Sequence, residues 1–355
     1  MPYATRDLDL AADREALARL WAGNMHDPAI AGVTQERIRW LYERNPEGPP
    51  TTVVVEDQGR DGVVGCASLV PRRVRLGGRE ARVGVASDLA VDRRHRFAGP
   101  ALMLQRALLE AAKRERYDFI WGYPNKNALP IIKRMGYTLV GESTSWVRPL
   151  RTGAFLQRVT APALAGLGAP VLDAALGLAE GAASLALAFG HEGAHLGPAD
   201  ARFDALWERG RGAHDITGVR DAAFLRWRYD EFPSARHYTF GLASRRSGAL
   251  AGFVTYRGLG GGRAHVADLF CEQPARQLEA LLLCFVRVLR SAGYASVALD
   301  LIADEGLSAR LRRLGFLRRP QARSFVIHPL GLAGGELEAV TDPRRWHIID
   351  GDLDI

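Results

Sequence analysis

Val83-Gly-Val-Ala-Ser-Asp-Leu-Ala-Val91, followed by Asp92-Arg-Arg-His-Arg-Phe-Ala-Gly-Pro-Ala101, is the stretch on which the fold turns. The first part is apolar enough for a buried strand, and a helical pattern of apolar residues begins near Leu102. Between them lies Arg96-x-x-Gly99-x-Ala101. Glycine there lets a backbone approach a ligand, and the free N–H groups of such a turn form an anion-binding nest continuous with a helix N-terminus. A pyrophosphate suits that arrangement.

Working outward, residues 8–22 space Leu8, Leu10, Ala11, Leu17, Leu20 and Trp21 as one face of a helix, and residues 35–44 predict a second helix capped by Thr34. Residues 51–56 and 63–71 read as strands, and 72–76 with 79–86 as a hairpin around Gly77-Gly78. Downstream, 117–124 is a buried strand, 125–137 holds a short helix stopped by Gly136, and 138–147 is a closing strand.

The second half repeats the first. Arg39-Trp40-x-Tyr42-x-x-x-Pro46 and Gly65 recur as Arg226-Trp227-x-Tyr229-x-x-x-Pro233 and Gly252, every position shifted by 187. Asp88-Leu89 then corresponds to Asp268-Leu269, shifted by 180, and Arg134-x-Gly136-Tyr137 to Arg313-x-Gly315-Phe316, shifted by 179. Such a ladder is the mark of duplicated domains. After Leu269 the copy reads Phe-Cys-Glu-Gln-Pro-Ala-Arg-Gln-Leu278, without the glycine loop. The expected division is a ligand-binding domain over 1–150, an Ala/Leu/Gly-rich helical linker over 151–202, a degenerate copy over 203–330 and a tail over 331–355. Trp40 and Trp227 are expected to anchor the core of each copy. The tail acids of Gly351-Asp-Leu-Asp-Ile355 are expected to be solvated or to face substrate.

Composition narrows the class. At 355 residues, 47% hydrophobic and 25% charged, the chain is that of a globular protein with room for two cores. The net charge of +7 comes almost wholly from arginine and reads as a solvated surface with some arginines free for phosphates, so nucleic acid is not an expected partner. Cys66, Cys271 and Cys284 have no metal-ligand spacing and their odd number fits a reducing compartment; the N-terminus lacks a signal-peptide pattern, so a cytoplasmic location is expected. Residues 162–189 carry only Asp173 and Glu180 as charges, but their glycines and missing aromatic belt argue for a packed linker rather than a membrane span.

Leu89-Ala-Val91 and Arg96 to Ala101 resemble the signature of the GNAT (Gcn5-related) N-acyltransferases: strand, Leu-x-Val, short turn, Arg/Gln-x-x-Gly-x-Gly/Ala, helix. The resemblance implies an α/β (α+β) fold of two tandem GNAT-like domains, each a mixed, mostly antiparallel sheet flanked by helices. It implies acyl-CoA, carrying acetyl or a longer chain, as cosubstrate, with no metal. Its pyrophosphate would lie on Arg96, Phe97, Ala98, Gly99, Pro100 and Ala101, and its pantetheine along Leu89, Ala90 and Val91. Residues 125–137 resemble the family's Asn-x-x-Ala-x-x-x-Tyr-x-x-x-Gly-Phe, placing Asn127, or Asn125, near the cofactor. The Trp-x-Tyr-x-x-x-Pro, Tyr-Pro-Asn and Gly-Asp-x-Asp patterns look like bacterial two-domain acyltransferases of polysaccharide or amino-sugar biosynthesis. The implied acceptor is a primary amine on a small molecule such as a nucleotide-linked sugar, bound by a monomer or homodimer in a ternary complex.

Transfer from a thioester to an amine requires a proton acceptor for the amine, donors at the developing oxyanion and a proton for the leaving thiolate. Asp88 either takes the amine proton or pairs with an arginine. The family's acidic tyrosine falls at Ile132, which leaves Tyr123 and Tyr137 as substitutes or as packed aromatics. His95 either meets a phosphate or is a solvated loop histidine. Two readings compete with an enzyme of this kind: an acyl-CoA sensor or scaffold, which the missing tyrosine permits, and a zinc hydrolase through His191-Glu192-x-x-His195, whose motif requires a helix.

Overall fold

The computed structural model describes residues 3–24, 32–59, 61–96, 98–126, 128–151, 177–178, 181 and 187–353. The first half opens with β1 (Tyr3–Asp7), a strand not foreseen from sequence, then α1 (Leu10–Asn24) and α2 (Thr34–Ile38), which runs on into a π-helical turn (Arg39–Glu43). Then come β2 (Thr51–Asp57), β3 (Gly62–Leu76), β4 (Arg79–Val91), α3 (Ala98–Arg114), β5 (Phe119–Gly122), α4 (Leu129–Arg134) and β6 (Thr138–Pro149). The hairpin between β3 and β4 closes at Gly77, whose φ of 56° favours glycine. The second half runs β7 (His191–Leu196), α5 (Ala201–Gly210), β8 (Ile216–Gly218) and α6 (Ala222–Leu225), which passes into a π-helical turn (Arg226–Asp230). It continues with β9 (Tyr238–Ser244), β10 (Leu250–Gly258), β11 (Arg263–Cys271), α7 (Pro274–Ser291), β12 (Ser296–Leu301), α8 (Glu305–Arg313), β13 (Leu317–Pro329), α9 (Gly334–Thr341) and β14 (Trp346–His347).

These strands form one mixed, mostly antiparallel sheet with the order β1-β2-β3-β4-β5-β13-β6-β12-β11-β10-β9-β7. The closing strands are exchanged. β6 leaves the first half to pair antiparallel with β12, Ser296 opposite Pro149, while β13 returns to pair with β5, Val326 opposite Gly122. The two exchanged strands also pair with each other. The predicted closing strand thus exists but closes the other half. β7, drawn from the expected linker, pairs with β9, and the remainder of that linker lies mostly outside the described residues. No helix among the described residues is long and apolar enough to cross a membrane.

The interior joins the halves rather than isolating them. Trp40 and Trp227 stack at 4.6 Å with rings 8° from parallel. Trp40 Nε1 donates to the carbonyl of Trp227 at 2.6 Å and Trp227 Nε1 to that of Trp40 at 2.9 Å. Each buried indole N–H is thereby satisfied by the other copy's backbone, so these residues anchor a shared seam and not two separate cores. The tail is equally internal. Asp352 is buried, accepting from Arg220 Nη2 at 2.6 Å with Arg72 Nη2 at 3.4 Å, so this acid is a structural counter-ion and neither solvated nor substrate-facing. Gly351 is required beside it because a Cβ would collide with Tyr229 Oη. Asp354 lies outside the described residues.

Candidate active site

β4 and β5 run parallel for three pairs, Val83 with Phe119, Gly84 with Ile120 and Val85 with Trp121, and then diverge. The divergence begins where β4 is bulged against β3: Cys66 faces Ala90 and Ser68 faces Ser87, so Asp88 and Leu89 stand opposite the single residue Ala67. Asp88 takes φ 55°, a conformation that costs a non-glycine residue about 1–2 kcal/mol. It is held there by Cys66 Sγ donating to its carbonyl at 3.4 Å and by an ion pair from Arg37 Nη2 to Oδ1 at 2.8 Å. The guanidinium of Arg37 lies over the ring of Trp21, 4.1 Å from its centroid. The bulge turns Leu89 outward to 38% exposure, whereas its counterpart Leu269 is 4% exposed.

A cavity of about 250 Å³ fills the gap between the diverging strands. Asp88, Leu89 and Ala90 line it from β4, Gly122, Tyr123 and Asn125 from the end of β5, and Ile132 and Tyr137 from the α4 region. Burial pushes the Asp88 carboxyl up from the usual carboxylate range, and Arg37 opposes that shift only in part. Oδ2 of Asp88 is buried and finds no hydrogen-bond partner among the described residues. Tyr137 is buried against the ring of His328 on the incoming β13, centroids 5.0 Å apart, and its Oη likewise has no hydrogen-bond partner among the described residues. Burial also pushes the Tyr137 phenol upward, so it keeps its proton at neutral pH. Tyr123 packs on Phe325, 5.2 Å between centroids. The cavity can therefore offer a lone carboxylate oxygen and a protonated phenol within one enclosure.

The glycine segment follows β4 and leads into α3, whose Gln105 and Leu108 line the cavity. α3 starts at Ala98, four residues earlier than the sequence pattern suggests, so Gly99, Pro100 and Ala101 form its first turn. A Cβ at Gly99 would meet nothing within 4 Å, so the protein's own packing does not require glycine there. Arg96 folds back along β4: Nε donates to the Val91 carbonyl at 3.2 Å and Nη2 to Asn24 Oδ1 at 2.5 Å, tying the strand end to α1. His95 is not a solvated loop residue, because its Nδ1 meets Tyr3 Oη at 2.9 Å and its Nε2 meets Asp61 at 3.0 Å. Phe97 and Asn127 lie outside the described residues, as does the side chain of Ala98.

Gln105 was missed from sequence. It is only 3% exposed, lines the cavity from α3, and its Oε1 has no hydrogen-bond partner among the described residues. A glutamine on a helix stripe beside Leu104 and Leu108 was the available signal. The zinc reading is overturned by geometry: His191 and His195 sit on the strand β7, where residues four apart are about 13 Å distant. His195 Nε2 is already engaged with Tyr256 Oη at 2.9 Å.

A parallel strand pair that parts around a cavity, followed by a long helix that lines it through Gln105 and Leu108, is the arrangement at the centre of this α/β first half. Residues 6–140 match the family model described as an acetyltransferase (GNAT) domain. The solved structures similar to it include a conserved protein of Enterococcus faecalis V583 described as a probable N-acyltransferase, with TM-score 0.65, 10% identity, 93% of this chain covered and 73% of that one. A GCN5-related N-acetyltransferase from Kribbella flavida has TM-score 0.59 and 16% identity over 93% of this chain and 72% of that one. A GCN5-related N-acetyltransferase from Anabaena variabilis ATCC 29413 has TM-score 0.65 and 12% identity over 92% and 72%. At such identities the likeness is one of fold, and it extends over both halves. No protein of curated function matches the sequence.

Proposed function

We propose that the first half transfers an acyl group from acyl-CoA directly to a primary amine in a ternary complex. The observation that carries this reading is that Asp88, whose Oδ2 has no hydrogen-bond partner among the described residues, and Tyr137 line one cavity. Asp88 accepts a proton from the acceptor's ammonium, directly or through water, and the freed nitrogen attacks the thioester carbonyl. N–H groups of the bulged Leu89–Ala90–Val91 segment face the developing oxyanion. As the C–S bond breaks, Tyr137 Oη supplies the thiolate's proton in place of the family tyrosine that Ile132 replaces; Tyr123 is the alternative donor. Gln105 Oε1 accepts from a pantetheine amide, and the first turn of α3, with Arg96 to Ala101, faces the pyrophosphate. The cavity's small size favours acetyl or another short acyl group.

The division into 1–150, 151–202, 203–330 and 331–355 belongs to the same reading, with the second half binding no CoA. There β11 and β12 also part, after Val266 and Leu299, but the tail enters the gap. His347 Nε2 donates to the Leu269 carbonyl at 2.8 Å and Ile302 N to the Ile348 carbonyl at 3.2 Å, so the strand edges are already used. A cavity of about 590 Å³ remains beside the tail, walled by side chains such as Leu278 and Leu307 and lacking the glycine turn.

A nucleotide-linked amino sugar is the acceptor suggested by resemblance. Thiol release from acetyl-CoA and longer acyl-CoAs, followed over a panel of amines that includes amino sugars, tests the reading. Amine-dependent release that is fastest with short chains supports it. Acyl-CoA binding without turnover on any amine would instead establish the sensor reading, which Ile132 favours.

A further inference from the structure

A second site lies on the other half of the sheet. Asp88 and Asp268 are 180 positions apart, so Val83 and Val85 correspond to Arg263 and His265. The parallel registers then match Phe119 and Trp121 to Ser296 and Ala298. In the first half this face is dry core: Val83, Val85, Phe119 and Trp121 are all buried, and Trp346 packs on both aromatic rings. In the second half an aliphatic and aromatic quartet has become arginine, histidine, serine and alanine. The result is a pocket of about 620 Å³.

Five arginines, Arg151, Arg257, Arg263, Arg319 and Arg323, converge on that pocket. No carboxylate among the described residues lies within ion-pairing distance of any of them, although arginines elsewhere are commonly paired, as Arg79 is with Glu336 and Arg310 with Glu279. Arg257 Nε is buried and has no hydrogen-bond partner among the described residues. Among the groups lining the pocket are His265, Asp300 and Asp350. His265 is 8% exposed, with Nε2 at 3.5 Å from Asp300 and Nδ1 at 3.6 Å from Asp350. One ligand atom from each of the three lies within 4.8 Å of the others, close enough for a metal ion, which the titration below separates from anion binding. Asp300 and Asp350 act on Arg257 and Arg323 only from beyond ion-pairing distance, so five guanidinium groups face two carboxylates and the excess positive charge favours an anion. The pocket's volume is that of a small-molecule site, which argues against nucleic acid or a membrane surface.

We propose that this pocket binds a small molecule bearing a phosphate or diphosphate, with the arginines on the phosphate oxygens and Asp300 and Asp350 accepting from its hydroxyl or amino groups. It is distinct from the acyl site. Thr138, next to Tyr137, and Ser145 of the pocket are seven residues apart on β6, about 23 Å. The assignment does not depend on acyl transfer.

Calorimetric titration of the full chain with inorganic pyrophosphate tests it, in a Gly99→Trp background that removes the glycine turn as a competing phosphate site. One-to-one binding is expected, weakened at least about tenfold by the pair Arg263→Ala and Arg323→Ala. Both side chains are exposed, so unchanged circular dichroism and Tm would show that the fold is intact. Absence of binding in the Gly99→Trp background, or undiminished binding in the arginine pair, overturns the proposal. Stoichiometric binding of Mn²⁺ alone, lost in His265→Ala and unaccompanied by pyrophosphate binding, also overturns it and makes the cluster a metal site.

Discussion

Asp88 and Asp268 hold the same place in two copies of one fold, and their surroundings have diverged. Asp268 has every oxygen occupied: Oδ1 accepts from Arg220 Nε at 2.9 Å and from Leu269 N at 2.8 Å, and Oδ2 from Tyr229 Oη at 3.0 Å. Asp88 has one arginine on Oδ1 and a bare Oδ2, because Tyr42, the counterpart of Tyr229, turns instead to Thr52 Oγ1 at 2.8 Å. Asp88 also has the left-handed φ that opens the strand edge, whereas Asp268 is not among the residues with positive φ. A carboxylate satisfied on all sides stabilises the fold, while one with an unsatisfied oxygen in a cavity retains capacity for chemistry. The duplicated aspartate is therefore structural in one copy and available in the other.

Changes at matched positions separate these roles. The largest effect is expected at the loop: Gly99→Trp should abolish acyl-CoA binding while leaving Tm nearly unchanged, whereas Pro274→Ala in the second half should leave binding intact. Equal losses of calorimetric affinity would break the division of labour. Next, Asp88→Asn should lower kcat by about 10²–10⁴-fold and also cost stability, because it takes the charge from the buried partner of Arg37, while Asp268→Asn should cost stability and little kcat. If the two variants trade places, the comparison fails. Arg220→Ala should destabilise the protein by about 3–5 kcal/mol in urea unfolding, because it strands Asp268 and Asp352 as buried charges. Tyr137→Phe should slow turnover about 10–100-fold without weakening acyl-CoA binding, and unchanged turnover would pass the acid's role to Tyr123.

The smallest effect concerns pH. His347 is held down to about 4 by burial and by the nearby Arg220, and His214, stacked on it at 4.2 Å, to about 2, chiefly by burial. Both are neutral when folded yet protonate near 6.5 when unfolded, so their contribution is complete above that pH. It is lost as pH falls from about 6.5 towards 4, where the unfolded chain binds more protons. Tm should drop across that window, and His347→Asn should flatten the drop; an unaltered slope would remove these histidines from the acid response.

Much of the first half could be read from local pattern. Strand periodicity, Gly77-Gly78 and the Arg96–Ala101 segment each describe their own neighbourhood, and the family resemblance ordered them. The repeat spacing likewise disclosed the second copy. What escaped was choice of partner. β6 and β13 carry similar patterns and follow corresponding helices, so nothing local distinguishes pairing within a half from pairing across it. Trp40 and Trp227 were legible as buried, but their mutual stacking depends on that exchange. The bare oxygen of Asp88 was illegible for the same reason, since its identity with Asp268 in sequence hides a difference made by the rotation of Tyr42. Gln105 escaped notice because one polar residue on an apolar helix face is invisible without the cavity it meets.

The exchanged strands also impose an order on synthesis. His328, which packs on Tyr137, and Val326, which lines the cavity beside Asp88, both come from β13, some 190 residues after Tyr137. A ribosome that has released only the first 150 residues has therefore exposed the glycine turn and Asp88 but not the wall that completes their enclosure. The cavity is completed only once β13 has been made, and fragments truncated at the apparent domain boundary should emerge with an unpaired β5 edge open to association.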